Sequence, residues 1–318
     1  MPSLLLRLQS LLIHHGPSVL GGLLFLGAGL LVLPWPGLQT DEALFGAAIY
    51  QNTGYADSFR AWGHDVPTML ISYLGALKTW LYFPIFRTWS PSIWSIRLPM
   101  LFAGVVATAL AATLVNKLHG RRAAYFVAGL LAVDPILVLC TTFDWGPVAL
   151  QHLLLVSTLL LLVRYHESGR KYLLAGAFFL LGLALWNKAI VIWNLAGLGV
   201  AVVVLLGREL REHLRLTTVA VALLAFAAGS APFLRYNVRQ AGATGTNIQF
   251  DFSDLPGKVA LARDTLNGIG LFSYLVEDSP QPARSTFLTQ ALLAAVLLTL
   301  FFPRRSLLFP LVAGVVTW

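Results

Sequence analysis

The sequence predicts an all-α polytopic membrane protein, and three observations lead to this prediction. Of its 318 residues, 57% are hydrophobic and 11% are charged, and the mean hydropathy is +0.75; soluble domains carry about 25% charged residues. Leucine-rich runs recur along the chain, and with their flanks each reaches the roughly 20 residues that a helix needs to cross the hydrocarbon core. No run shows the alternation of apolar and polar residues that transmembrane strands require. These observations exclude a soluble fold.

The apolar runs between charged breaks predict eight spans and the start of a ninth. The spans lie at 17–36, 92–115, 123–141, 147–163, 172–187, 189–206, 216–234 and 286–302, and the ninth begins at 306. The last stretch is only long enough to begin a crossing, so we expect the natural chain to continue. No small-residue cleavage site follows the first apolar segment, which favours a retained helix over a cleaved signal. We therefore expect one transmembrane domain over 1–318, with long outer loops at 37–91 and 235–285.

The basic residues predict the orientation of these spans. The net charge of +8 could suggest a nucleic-acid partner, but the charges fall in loops between spans, so no nucleic acid is expected. One set of alternate loops holds Lys117, Arg121, Arg122, Arg164, Arg170, Lys171, Arg208, Arg211, Arg215, Arg304 and Arg305, and Arg7 then falls on the same side as this set. The positive-inside rule makes that set cytoplasmic. The loops 37–91, 142–146 and 235–285 then lie outside.

Most acidic side chains fall in the outer loops. Glu167, Glu209 and Glu212 lie inside. The outer set is Asp41, Glu42, Asp57, Asp65, Asp144, Asp251, Asp254, Asp264, Glu277 and Asp278. The positive-inside rule constrains carboxylates little, so this asymmetry suggests chemistry or ligand binding at the outer face. The alternative, that longer loops simply hold more polar residues, stays open.

The first outer loop predicts a short helix on the membrane surface. Its apolar stripe at helical spacing is formed by Leu44, Phe45, Ala48 and Ile49. Thr40 is expected to be the N-cap, which puts Asp41 and Glu42 in the first turn, where the helix dipole favours ionised carboxylates. An ionised carboxylate is what a general base must be. The same three residues are also simply a good helix start, and that interpretation stays open.

A second surface helix is predicted over 69–83, closed by Pro84 and preceded by His64 and Asp65. It carries Lys78, with aromatic side chains at headgroup depth. Further along the chain, Asp144 reaches the outer surface in a short turn, or it starts the next helix. Asp134 lies inside the third span, before Pro135. Here we favour a structural role, in which Asp134 satisfies the backbone groups that the proline frees.

Two cations share the outer level with these carboxylates. Lys188 lies at the turn between two spans, and Arg235 follows the seventh span and precedes Tyr236. Each could simply extend to the interface from a helix end. Together with the carboxylates, they indicate a site with anionic bases and phosphate-binding cations, which suits a lipid-linked phosphate substrate.

These residues make the chain resemble the GT-C glycosyltransferases of the protein-mannosyltransferase and aminoarabinose-transferase kind (glycosyltransferase family 39-like), over most of its length. The resemblance rests on Asp41-Glu42 after the first span, Ser95-Ile96-Arg97-Leu98-Pro99 at the second, Asp144 after the span with Pro135, and Lys188 and Arg235. It implies a GT-C type transmembrane helix bundle with interfacial helices in the first outer loop.

The resemblance also implies roles for individual residues. Asp41 resembles the catalytic base, with Glu42 beside it, and Asp144 the supporting carboxylate. Lys188 and Arg235 resemble the cations that hold the donor phosphate. Further substrate contacts are expected from His64, Asp65, Lys78 and Tyr236.

Two positions depart from the pattern of the family. The Lys-Pro-Pro often found in the first loop reads Asp65-Val66-Pro67 here, and Thr141-Thr142 stand where an arginine often precedes the second acidic position. These departures concern the donor contacts more than the base. No cofactor is required. A divalent metal beside the carboxylates stays open, although their spacing does not argue for one.

The implied reaction is an inverting transfer of a sugar from a polyprenyl phosphate to a hydroxyl of a lipid, glycan or protein acceptor. The resemblance places it at the outer face of a bacterial inner membrane. A transporter or lipid flippase is the main alternative, but it would place ionisable groups near the bilayer midplane, and these spans carry few. A non-catalytic membrane scaffold is the other alternative.

Overall fold

The computed structural model describes residues 2–50, 54–61, 63–144, 146–213, 215–247, 253–275, 284–301 and 305–317. Four residues named above, Asp251, Glu277, Asp278 and Arg304, lie outside these ranges. The first half of the chain forms α1 (Pro2–Val32), α2 (Thr40–Tyr50), β1 (Asp57–Ala61), β2 (His64–Ile71), β3 (Leu74–Gly75), α3 (Leu77–Thr88), α4 (Ile93–His119), α5 (Arg121–Val133), α6 (Pro135–Thr142) and α7 (Val148–Ser168). The second half forms α8 (Lys171–Asn187), α9 (Val191–His213), α10 (Leu216–Gly229), α11 (Ala231–Arg239), α12 (Leu255–Leu266), α13 (Ile269–Leu275), α14 (Phe287–Phe301) and α15 (Arg305–Thr317).

The predicted helical membrane class is confirmed. Within the described ranges, four helices are long and apolar enough to cross a bilayer: His15–Val32, Ile93–His119, Val148–Ser168 and Val191–Glu212. Two further spans arise if the bent pairs α5–α6 and α10–α11 each count as one, and α8 is a shorter apolar helix. Helices also occupy the predicted spans near the C-terminal end, and α12 and α13 lie in the second long outer loop. The orientation of the spans stays a prediction.

The bend between α5 and α6 confirms the structural role of Asp134. The two helices meet at 62°, and Pro135 occupies the first turn of α6. One carboxylate oxygen of Asp134 accepts the backbone N–H groups of Ile136 and Leu137, at 2.9 and 3.3 Å. These donors have no intrahelical partner because the proline starts a new helix. The buried carboxylate is therefore an N-cap.

The chain forms two compact units, and the first comprises Met1–Gly54 and Ala76–Leu181. In it α1 packs against α4 and α5, and α4 also packs against α7. A buried apolar cluster lies between these helices and contains Phe25, Leu33, Leu101, Ala132 and Val138. Gly104 permits the close approach, since a Cβ there would lie 2.8 Å from the Phe25 ring. Small residues at helix contacts are typical of membrane bundles.

The second unit comprises Tyr55–Gly75 and Gly182–Trp318. Its three-stranded antiparallel sheet has the order β1-β2-β3. The surface helix predicted over 69–83 is therefore wrong in its first half, where β2 and β3 lie. The strands form because distant groups complete them: the Trp186 indole N–H donates to the Thr68 carbonyl at 2.7 Å, and the backbone of Lys188 makes a bridge with Leu74.

The second half of that predicted helix is present as α3, in the first unit. It begins at Leu77 and continues past Pro84 to Thr88, so the predicted end at the proline is wrong. A proline removes one helical hydrogen bond. Here Tyr82 and Phe86, which stack at 5.0 Å, are both buried and hold the turns on either side of Pro84 in place.

Candidate active site

The N-terminus of α2 positions both carboxylates of the first outer loop. The N-cap is Gln39 rather than the predicted Thr40, because the Gln39 carbonyl accepts the first helical bond, from Ala43 N–H at 3.0 Å. The Gln39 N–H in turn donates to the Glu42 carboxylate at 3.0 Å. A glutamate at the third helical position that bonds the N-cap backbone is half of a capping box. This bond turns the Glu42 side chain back toward the start of the helix.

Glu42 and Arg97 form a buried, bidentate ion pair. Arg97 Nε lies 2.6 Å from Oε1 and Nη2 lies 2.7 Å from Oε2. Arg97 also donates to the carbonyls of Leu33, Pro36 and Gly37, at 2.7 to 3.0 Å. Both side chains are at most 1% exposed. The pair thus ties the segment after α1 to α2 and α4, and this geometry favours a positioning role for Glu42 over a role in chemistry.

Asp41 has a different environment from its neighbour. It lies in the first turn of α2 and is half-buried. Its carboxylate makes no hydrogen bond or ion pair with any other described residue. Within the described part of the chain, no residue therefore competes for the lone pairs with which Asp41 can accept a proton or a substrate hydroxyl.

Asp144 and Lys78 form a second buried ion pair in the same unit. Lys78 Nζ lies 2.6 Å from Asp144 Oδ2, and the two side chains are 0% and 2% exposed. Lys78 Nζ also lies over the Phe45 ring, at 4.5 Å from its centroid. The other Asp144 oxygen accepts the Ala149 N–H of α7 at 2.7 Å. Asp144 therefore bonds a backbone donor in the first turn of α7, although the helix itself begins at Val148. The interpretation in which Asp144 reaches the outer surface is wrong, because its side chain is buried against Lys78.

Tyr82 borders both ion pairs. Its hydroxyl donates to the Ile96 carbonyl at 2.7 Å. Burial, together with the negative charges of Asp144 and Glu42, raises the pKa of the Tyr82 hydroxyl well above its ordinary value of 10. Tyr82 thus remains a hydrogen-bond donor at any physiological pH.

In the second unit, Arg235 extends from α11 toward β1. Its Nη2 donates to the Ser58 carbonyl at 2.8 Å and lies 3.8 Å from Asp57 Oδ1. Arg239, one helical turn on, lies 4.0 Å from the same oxygen. The Arg235 side chain remains 31% exposed. Tyr236 is buried at 5% exposure.

Three further predicted site residues lie in this unit. Lys188 is half-buried at the end of α8, next to β3, where the Ala189 N–H donates to the Tyr73 carbonyl. His64 and Asp65 are exposed at the start of β2, opposite Ala61 and Arg60 of β1.

The structure brings some of the predicted residues together and adds others. In the first unit Asp41 and Glu42 share a helical turn, and Lys78 pairs with Asp144. The predicted roles did not include Arg97, Asp57 or Arg239. Arg97 was visible as a lone cation entering an apolar helix, and Arg239 as a cation four residues after Arg235. Within the described ranges, no three His, Cys, Asp or Glu side chains come together as a metal site.

Comparison with known proteins identifies the family. The family model for dolichyl-phosphate-mannose-protein mannosyltransferase matches residues 65–234, just over half of the chain. The matched range contains Lys78, Asp144 and Lys188, and Asp41 precedes it. No curated protein sequence and no solved structure is significantly similar to the chain. Of the functions weighed from the sequence, the match supports the glycosyltransferase. The chain belongs to the dolichyl-phosphate-mannose-protein mannosyltransferase family, of GT-C type, and is an integral membrane glycosyltransferase that uses a lipid-linked sugar donor.

Proposed function

We propose that the protein transfers a sugar from a polyprenyl-phosphate donor to a hydroxyl acceptor at the outer face of the membrane, with Asp41 as the general base. One observation carries this proposal: among the buried and half-buried carboxylates of the first unit, Asp41 is the one whose oxygens have no partner among the described residues. Glu42 and Asp144 each contact a cation and accept a backbone N–H. A general base needs a free lone pair directed at the proton that it takes.

The reaction is a single displacement. The acceptor oxygen forms a bond to the anomeric carbon, and the bond from that carbon to the phosphate oxygen breaks. Asp41 takes the hydroxyl proton, and the polyprenyl phosphate leaves with the bonding electron pair. Attack opposite the leaving group inverts the anomeric configuration. Lys188 and Arg235 stabilise the negative charge that develops on the departing phosphate.

The two buried ion pairs have positioning roles in this proposal. Glu42 and Arg97 hold the first turn of α2, and therefore Asp41, against α4. Asp144 and Lys78 join α3 to the start of α7. Such pairs contribute less to net stability than to a single arrangement of the backbone, because desolvation offsets most of the attraction. We assign acceptor contacts to the exposed His64 and Asp65, and a packing role beside Arg235 to the buried Tyr236.

The wider setting of the reaction is part of the same proposal. The acceptor is a hydroxyl of a lipid, glycan or protein, and the membrane is a bacterial inner membrane with the reaction on its outer side. The support is the predicted orientation, which places the loops that carry these residues opposite the basic cytoplasmic loops.

The test is transfer of radiolabelled sugar from a panel of polyprenyl-phosphate sugars to membrane extracts. The wild-type chain is compared with Asp41→Asn and with Asp264→Asn, a matched control at a half-buried carboxylate of α12. We expect Asp41→Asn to lose at least about a hundredfold in turnover, as removal of a general base does, while the control transfers normally. Unchanged transfer by Asp41→Asn, at equal amounts of folded protein, removes Asp41 as the base.

A further inference from the structure

We infer that Arg239 is a second phosphate-binding residue, and that it acts with Arg235 as a guanidinium pair for the phosphate of a membrane lipid. This inference rests on the proposed function, since the lipid is the donor that the reaction consumes. The two arginines are four residues apart on α11, so their side chains leave the same face of the helix. Both point at Asp57, the first residue of β1.

Asp57 sets the position of the pair. Its Oδ2 accepts the Thr68 hydroxyl at 2.7 Å, which fixes the carboxylate to the neighbouring strand. Its Oδ1 faces both guanidiniums, and the carboxylate is 11% exposed. The negative charge of Asp57 offsets only one of the two arginine charges. A net charge of +1 therefore remains beside the start of β1. A phosphate oxygen would neutralise that charge.

The guanidiniums retain donors for such a ligand. Arg235 Nη2 and Arg239 Nη1 lie 3.8 and 4.0 Å from Asp57 Oδ1, beyond the roughly 2.7–3.2 Å of a hydrogen bond. The side chains are 31% and 60% exposed. Arg97 shows the contrasting case, because its side chain is fully buried and its donors bind Glu42 and backbone carbonyls. Arginine is also the residue best suited to bind phosphate through several N–H groups at once.

The surroundings of α11 favour a lipid phosphate over a soluble one. The helix bends by 72° from α10, so it does not continue the direction of that apolar helix. Leu234 and Val238, which precede the two arginines by one residue each, are 40% and 84% exposed. A helix with apolar side chains exposed on one face and cations on the next is typical of the membrane interface, where lipid phosphates lie.

The experiment measures binding of undecaprenyl phosphate and of undecaprenol to the purified 318-residue chain in lipid nanodiscs. The variants are Arg239→Gln, Arg239→Lys and the control Arg263→Gln, an exposed arginine of α12. We expect Arg239→Gln to weaken undecaprenyl phosphate binding by roughly tenfold or more, the loss for one charged hydrogen bond. Arg239→Lys should weaken it less, and Arg263→Gln should not change it. Undecaprenol, which has no phosphate, should bind all variants equally.

Two results would overturn the inference. One is normal binding of undecaprenyl phosphate by Arg239→Gln, and the other is an equal loss of both lipids, which indicates a general structural defect. Displacement of undecaprenyl phosphate by an equimolar amount of inorganic phosphate would overturn the assignment to a lipid.

Because binding needs no transfer, Asp41→Asn should bind undecaprenyl phosphate normally. If Asp41→Asn transfers normally while Arg239→Gln loses binding, the proposed base is wrong and the phosphate pair stands.

Discussion

Glu42 and Arg97, which are 55 residues apart in the chain, bind each other through two hydrogen bonds of 2.6 and 2.7 Å inside the first unit. Removal of one partner leaves the other charge buried without compensation, which costs about 3–5 kcal/mol. We therefore expect Arg97→Gln to lower the melting temperature of the detergent-solubilised protein strongly. Arg97→Lys should lower it less, since it keeps the charge but loses the bidentate geometry.

The control for this prediction is Arg122→Gln, which removes an exposed arginine at the start of α5. Its melting temperature should equal that of the wild type, because exposed charges contribute little to stability. Equal melting temperatures for Arg97→Gln and Arg122→Gln would contradict the structural role of the Glu42–Arg97 pair.

A pH dependence follows from Tyr82. Its pKa is raised in the folded protein, so between pH 10 and the folded-state pKa the unfolded chain releases a proton that the folded protein keeps. The stabilising contribution of Tyr82 is therefore complete below pH 10 and is lost as the pH rises above 10. We expect the melting temperature to fall above pH 10, and to fall less steeply in Tyr82→Phe than in Tyr172→Phe, which changes an exposed tyrosine. Equal slopes in the two variants would contradict this linkage.

Gly75 ends β3 directly against the backbone of α8. A Cβ at this position would overlap the Trp186 carbonyl oxygen. Gly75→Ala must therefore displace a strand or a helix end, and we expect a loss of about 1–3 kcal/mol, as for other overpacked sites. Gly199→Ala is the matched control, because a Cβ there meets no atom within 4 Å. Thermal unfolding that is the same for both variants would show that β3 does not lie against Trp186.

Substitution of Asp134 tests whether a buried carboxylate has a structural role, in contrast to the catalytic role of Asp41. Asp134→Ala removes the cap of α6 and should lower stability by about 1 kcal/mol. The rate of sugar transfer per folded molecule should not change, because the carboxylate bonds only backbone groups in the described structure. A transfer rate reduced as much as in Asp41→Asn would assign Asp134 to the reaction instead.

The helical part of the fold could be predicted from the sequence because each span is a local property. An apolar run of sufficient length must form a helix in lipid, whatever lies elsewhere in the chain. The cap at Asp134 was predictable for the same reason, since its donors are two and three residues away. The sheet was not predictable, because β2 needs the Trp186 indole and β3 needs the backbone beside Lys188. Apolar periodicity alone cannot separate a short buried strand from a helix.

The candidate site shows the same contrast between local features, which could be predicted, and long-range contacts, which could not. The carboxylates and cations could be located from their order along the chain, but not their pairing. Nothing local indicates that Glu42 binds Arg97 while the adjacent Asp41 binds no described residue. Their difference depends on the direction of two neighbouring side chains in one helical turn. That direction follows from the bond between the Gln39 N–H and Glu42.

The bond between Arg235 and the Ser58 carbonyl joins residues 177 positions apart. At about 5–20 residues per second, the ribosome needs roughly 10 to 35 seconds to make the chain between them. During that interval the nascent hairpin of β1 and β2 has left the translation machinery without the arginine that will bond its edge. The order of synthesis therefore keeps the edge of this small sheet without its arginine bond until α11 has been made.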